Sequence, residues 1–316
     1  MQRRRRGVAR GGPRFGWGVA LAVTGGLSAI LLSGCGGLPA GVDGKITDDW
    51  RGVSEPTSFT PPAGVCHETD YTETGSLASF DPVDCGGPHR TETIFVGTFT
   101  GTAAGRTSPP PESSPELRAA YAECDKRARA YLGNDFRYGR LWLGVVVPSS
   151  QGWKGGSRWF RCDAVEKADH ENFGDTVNRS GSLKGALSSA SPLRLTCYRV
   201  KAQQSGVIDS RTPAACSSPH NSEFAGAFTA PVSAYPAKSA DWDRLHDACR
   251  KVIAKYVGLP DDGDLKYRTG TVVVPGAEED WQAGNRGVRC YLYVSDKTFT
   301  RSLKGAGTKG LPIRYA

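Results

Sequence analysis

Past residue 34 this chain has almost no surplus charge. The sequence carries 40 Lys and Arg against 32 Asp and Glu. Six of the arginines (Arg3, Arg4, Arg5, Arg6, Arg10 and Arg14) fall in residues 1–34, which hold no acid. The rest has 34 basic and 32 acidic residues. A body so near neutrality has no basic excess to displace counterions from phosphates, which excludes a nucleic-acid binder. The apolar run from Trp17 to Leu32 is uncharged but spans only 16 residues, short of the roughly 20 that cross a bilayer. Signatures of nucleophilic or metal-assisted hydrolysis are missing as well: no G-x-S-x-G, no suitably framed S-x-x-K, no H-E-x-x-H. What is plentiful is Gly (40) and Pro (20), which assign much of the chain to loops and turns.

The basic start and short apolar run read as a signal peptide over 1–34. It ends in Leu32-Ser33-Gly34-Cys35, which resembles the lipobox of bacterial lipoproteins. That resemblance implies cleavage before Cys35 and a diacylglyceryl anchor on Cys35, with two acyl chains where one binds only reversibly. The expected location is the extracytoplasmic face of the cell membrane, where disulfides persist.

The other eight cysteines form two quartets, Cys66, Cys85, Cys124, Cys162 and Cys197, Cys216, Cys249, Cys290. Each quartet opens with a spacing of 19. Their surroundings repeat. Cys85 to Glu92 and Cys216 to Glu223 both spell C-x-x-P-H-x-x-E. Val145-Val146-Val147-Pro148 aligns with Val272-Val273-Val274-Pro275, and Trp153, Gly156, Arg158, Arg161, Cys162 with Trp281, Gly284, Arg286, Arg289, Cys290. A weaker echo, Ser182-Leu183-Lys184-Gly185 and Ser302-Leu303-Lys304-Gly305, closes each unit. The organisation expected is a flexible tether over 35–62, one domain over 63–165, a polar linker over 166–192 and a second domain over 193–316.

Each unit reads as α+β, one main helix packed on a small, mostly antiparallel sheet. Ser114-Pro115-Glu116 starts the first helix and Gly133 stops it. Ser239 starts the second, and Gly258 and Pro260 end it. The cysteine of each helix lies on its apolar face. Four cysteines allow three pairings per unit. The repeated local spacing favours Cys66–Cys85, Cys124–Cys162, Cys197–Cys216 and Cys249–Cys290, with crossed pairings left open. Each bridge adds about 3–4 kcal/mol in the chain-entropy model.

These motifs resemble the septum-formation domain of actinobacterial exported and lipid-anchored proteins, in two tandem copies over about 66–165 and 195–295. The resemblance implies a role in division-septum or envelope assembly and carries over no catalytic residue. His89, Glu92, His220 and Glu223 are candidate recognition groups. Cys-x3-His plus Glu also has the makings of a zinc site, but an oxidised cysteine is a poor ligand, so no metal or cofactor is expected. Trp153 and Trp281, with Arg158 and Arg286, are candidates for stacking on sugar or peptide. With both quartets oxidised no thiol nucleophile remains. The reading is a non-enzymatic, lipid-anchored binding or scaffolding protein whose partners are envelope or division proteins or wall polymer. The alternatives are a wall-polymer enzyme using His220 and Glu223 as acid and base, and an extracytoplasmic solute or metal receptor.

Overall fold

A computed structural model describes residues 57–169, 174–204, 207–232 and 234–314. The expected signal peptide, Cys35 and the tether up to residue 56 lie outside the described residues. Among those described, no helix is long and apolar enough to cross a membrane.

The first half runs β1 (Val65–His67), β2 (Thr74–Gly75), β3 (Pro88–His89), β4 (Thr91–Thr98), α1 (Gly101–Ala104), α2 (Pro115–Leu132), β5 (Leu141–Pro148), α3 (Ser150–Lys154), β6 (Trp159–Glu166) and β7 (Arg179–Ser180). The second runs β8 (Cys197–Ala202), β9 (Ile208–Ala214), β10 (Ser222–Thr229), α4 (Ser239–Val257), β11 (Gly270–Pro275), α5 (Glu278–Ala283), β12 (Gly287–Tyr293) and α6 (Gly307–Gly310). One sheet has the order β1-β4-β6-β5-β2 and the other β11-β12-β10-β8-β9. Only β2 lies parallel to its neighbour.

Four strands of each sheet share one order, β1-β4-β6-β5 in the first half and β8-β10-β12-β11 in the second. The registers agree as well. Cys66 stands opposite Glu92 and Cys197 opposite Glu223. Each long central strand then breaks register at the same place, after Thr93 and after Phe224, so that Phe95 meets Cys162 and Gly226 meets Cys290. The valine runs do not follow their prolines. Val145 pairs with Cys162, but it is Val273, not Val272, that pairs with Cys290. Side chains alternate faces along a strand, so a one-residue slip would turn the helix-facing valine outward. The structure keeps the face and lets the proline move.

The helices follow their sequence signals. Ser114 Oγ accepts from Leu117 N at 3.1 Å, Pro115 takes the first helical position, and Gly133 closes α2 at φ 81°. The buried residues Leu117, Ala120, Tyr121, Cys124, Ala128 and Leu132 form the stripe that meets the sheet. In α4, Ser239 is the first helical residue, where the sequence starts the helix. Asp241 does the capping, its Oδ2 accepting from the backbone N–H of Lys238 at 3.1 Å. Leu245, Cys249, Ile253, Ala254 and Val257 are that helix's buried face.

Two segments expected to be spacers belong to the fold. Ser182 and Leu183 bond a buried carboxylate of β4. Leu183 and Leu187 have no exposed surface, and burying each contributes roughly 2 kcal/mol. Residues 174–192 thus complete the core under α2 instead of linking two bodies. Phe59, inside the expected tether, already packs on Phe80 and Trp159 with centroids 5.1 and 6.4 Å away.

The halves join through the second sheet's outer face. Phe224 and Tyr291 lie edge to face on that surface, and Tyr138 of the first half adds its ring to Phe224 at 5.2 Å. Arg289, buried on β12, donates to the carbonyls of Arg137 (2.9 Å), Gly139 (3.3 Å) and Leu141 (3.1 Å). The described residues form one compact unit.

Candidate functional site

Sulfur pairing is first with second and third with fourth. Cys66–Cys85 and Cys197–Cys216 close local loops with Cα atoms 5.2 Å apart. Cys124–Cys162 and Cys249–Cys290 bolt α2 to β6 and α4 to β12, at 5.3 and 5.2 Å. The eight body cysteines therefore carry no thiolate.

The C-x-x-P-H-x-x-E stretch places its Glu on the central strand with its side chain under the end of the main helix. Glu92 and Glu223 have no exposed surface. A buried carboxylate is tolerated only when its lone pairs are filled, and here they are. Glu223 Oε1 accepts from His220 Nε2 (3.0 Å) and Leu303 N (2.8 Å). Its Oε2 accepts from Tyr256 Oη (2.7 Å) and Ser302 Oγ (2.9 Å). Glu92 takes Tyr131 Oη (2.5 Å) and Ser182 Oγ (2.6 Å) on Oε1 and Leu183 N (2.7 Å) on Oε2. The first hub is looser at one point: His89 Nε2 stands 4.0 Å from Glu92 and has no hydrogen-bond partner. In both, the ring's Nδ1 meets the carbonyl two residues back, Gly87 at 2.9 Å and Ser218 at 2.8 Å.

The hubs explain the Ser-Leu-Lys-Gly echo. The serine hydroxyl and leucine N–H are donors to the glutamate. Gly185 and Gly305 turn the chain at φ 69° and 68°, and their N–H groups return to the carbonyls of Tyr131 and Tyr256 at 2.8 and 3.0 Å. Tyr131 and Tyr256, which the helical stripe presents simply as core edges, are the hydroxyl donors. Burial first, and then the adjacent glutamate, raises the pKa of both phenols. Recurrence of Tyr and Ser in both units was the available signal.

Cys66, His89, Glu92 and Cys197, His220, Glu223 bring possible ligand atoms within 4.8 Å of one another. They do not fit a metal. Each sulfur is bonded to another sulfur, and the carboxylate oxygens are already taken by hydrogen-bond donors. Burial also bears on an acid–base role. His89, Glu92, His220 and Glu223 all have 0% exposure, so none of them presents an atom at the surface. Their chemistry is to tie helix end, central strand and following loop together.

The Trp–Arg candidates are also internal. Trp153 is 1% exposed and Trp281 0%. Arg158 lies over Trp153 at 4.3 Å and donates to the carbonyls of Ala104 (2.6 Å) and Trp153 (2.7 Å). Trp153 Nε1 donates to Arg106 O at 2.8 Å, and Tyr235 stacks edge-on to Trp281 at 5.6 Å. Arg286 is half-buried, and its Nε has no hydrogen-bond partner. These residues cap the small cores and present no platform.

A family model described as "septum formation" matches residues 63–290. The match is one continuous stretch through both halves. No curated protein and no solved structure matches the chain.

Proposed function

We propose, from the premise that this chain belongs to the septum-formation family, that it is a non-enzymatic binding or scaffolding protein acting in septum formation or envelope assembly. It is held by a lipid on Cys35 at the outer face of the cell membrane, and its body is two copies of one α+β unit. Its partners are envelope or division proteins or wall polymer. The observation that carries the non-enzymatic reading is the use of the repeated His and Glu residues as fully buried ties, with both oxygens of each glutamate hydrogen-bonded. Matching strand order, registers and sulfur bridges support the duplication.

The test follows the full chain in cells as a fluorescent fusion, with crosslinking to capture partners. Enrichment at the division site and crosslinks to envelope components are expected, and Cys35→Ala should release the protein from the membrane. Diffuse placement with no envelope partner would sink the proposal. So would wall hydrolysis by the purified chain that disappears in a folded Glu223→Gln variant.

A further inference from the structure

A cavity of about 330 Å³ opens where β5, the Pro109–Pro111 loop and α5 meet. Its floor is aromatic. Tyr71 and Trp142 stand edge to face with centroids 4.5 Å apart. They do so over Gly144, where a Cβ would come within 2.4 Å of both rings. Each ring is pinned from behind. Tyr71 Oη donates to Val145 O at 2.8 Å, and Trp142 Nε1 donates to Asp280 Oδ2 at 3.0 Å. The walls carry four carboxylates, Glu73, Glu112, Glu279 and Asp280, and among the described residues no Lys, Arg or His lines the space. Partial desolvation of an otherwise exposed side chain, and then a hydrogen bond to Glu112, holds Glu73 above the usual carboxylate range. Burial does the same to Asp280. Lys167 and Arg289 act on Asp280 from outside the lining.

A bare metal ion does not suit this arrangement. Among the described residues, the acids, histidines and cysteines that converge tightly enough for one ion are those of the two hubs. The cavity's carboxylates are spread around an apolar floor, where an ion needs them gathered at one point. The complement of an aromatic floor with dispersed acids is a cation carried on hydrocarbon. The cavity at the matching place of the second half has no Trp and carries Lys266, Arg268 and Arg314 in its lining. By register, Gly270 opposite Tyr293 takes the position of Trp142 opposite Val165.

We propose that this cavity binds an aliphatic ammonium group, its apolar stem lying on Tyr71 and Trp142 and its charge met by the ring faces and the surrounding carboxylates. The site stands on its own geometry and does not depend on the septal role.

Calorimetric titration of the full chain in detergent with 1,5-diaminopentane tests it, beside 1,5-pentanediol and glutarate as uncharged and anionic counterparts. Nα-acetyl-lysine methylamide serves as the peptide-borne form of the same group. Saturable one-site binding of the diamine or of the lysine amide is expected, with neither counterpart binding. The tighter of the two amines identifies the source, free or peptide-borne. Glu73→Gln, on an exposed residue, and Asp280→Asn, which keeps an acceptor for Trp142, should each weaken binding about tenfold. Binding of the diol as tight as the diamine, binding of glutarate, no saturable amine binding, or native affinity in both variants would overturn the proposal. Septal placement can fail while the amine binds, and the reverse, so the two readings are separately testable.

Discussion

A carboxylate with four donors is worth more to the fold than its single charge suggests. Replacing Glu223 by Gln keeps the shape but puts an NH2 where two donors already point. Donors then face donors in a site with no exposed surface. The expected loss is about 3 kcal/mol, the lower end for breaking a buried charged network. Glu92→Gln should cost less, because His89 is 4.0 Å away where His220 is 3.0 Å. Urea unfolding with the disulfides intact measures both, and a larger loss for Glu92→Gln would contradict the difference between the hubs. A second prediction concerns His67. Its Nε2 lies 3.0 Å from Thr93 Oγ1, which donates to Asp163. Burial, and then the Arg161 charge, pulls the ring's pKa from 6.5 to about 4. The folded state therefore keeps the ring neutral while the unfolded chain takes up a proton below pH 6.5. Stability from this group is complete above that pH and lost as pH falls to about 4, by about 3 kcal/mol. Comparing unfolding midpoints at pH 7 and 4.5 should show a steeper fall in the native chain than in His67→Gln. The C-x-x-P-H-x-x-E spelling made the hub's centre legible from sequence. Its other half was not, because Ser182 and Ser302 lie 90 and 79 positions from the glutamates they bond, and no local pattern carries such a distance.

At the level of elements, the helix ends are where sequence and structure agree most closely, since caps are local chemistry. Ser114 and the two closing glycines do what residues of those types do at such positions. The same pair yields a graded prediction. Gly133 and Gly258 both sit in the left-handed region, at φ 81° and 79°. A Cβ on Gly258 meets nothing nearer than 3.8 Å, while on Gly133 it would lie 2.1 Å from Ser188 Oγ. Gly258→Ala should therefore cost only the left-handed penalty, about 1 kcal/mol. Gly133→Ala should cost clearly more, because Ser188 must move as well. Thermal unfolding of the two variants checks the order, and equal losses would mean that Ser188 gives way freely. Strands were read less well. The valine runs invited alignment on their prolines, but a strand conserves which face a side chain occupies, and the ladder displaced that alignment by one residue. The short β2 and the exposed β9, which extend the two sheets differently, have no counterpart in the repeat and so gave no signal.

At the scale of the whole molecule, the repeated spelling suggests two bodies, yet the contacts make one. Arg289 is the reason in miniature. It is 3% exposed, belongs to the second half, and donates to three carbonyls of the first. Arg137 answers from the other side, donating to Asn285 Oδ1 at 2.8 Å and pairing with Asp125 and Asp135. Gly287 makes room for it, because a Cβ there would fall 1.7 Å from Arg137 Nε. Arg161, at the matching place in the first half, pairs with Asp163 within its own sheet, so the repeated arginine has been turned from an internal partner to an external one. Removing Arg289 strands three carbonyls at the junction, which should cost about 3 kcal/mol. If the halves unfold together, Arg289→Ala lowers hydrogen-exchange protection by the same free energy at amides of α2 and of α4, although α2 is remote in sequence. If they are independent bodies that only touch, protection falls in α4 and β12 while α2 keeps its native rate. Exchange of the full chain, disulfides intact, distinguishes the two outcomes, and loss confined to the second half would refute the single cooperative unit.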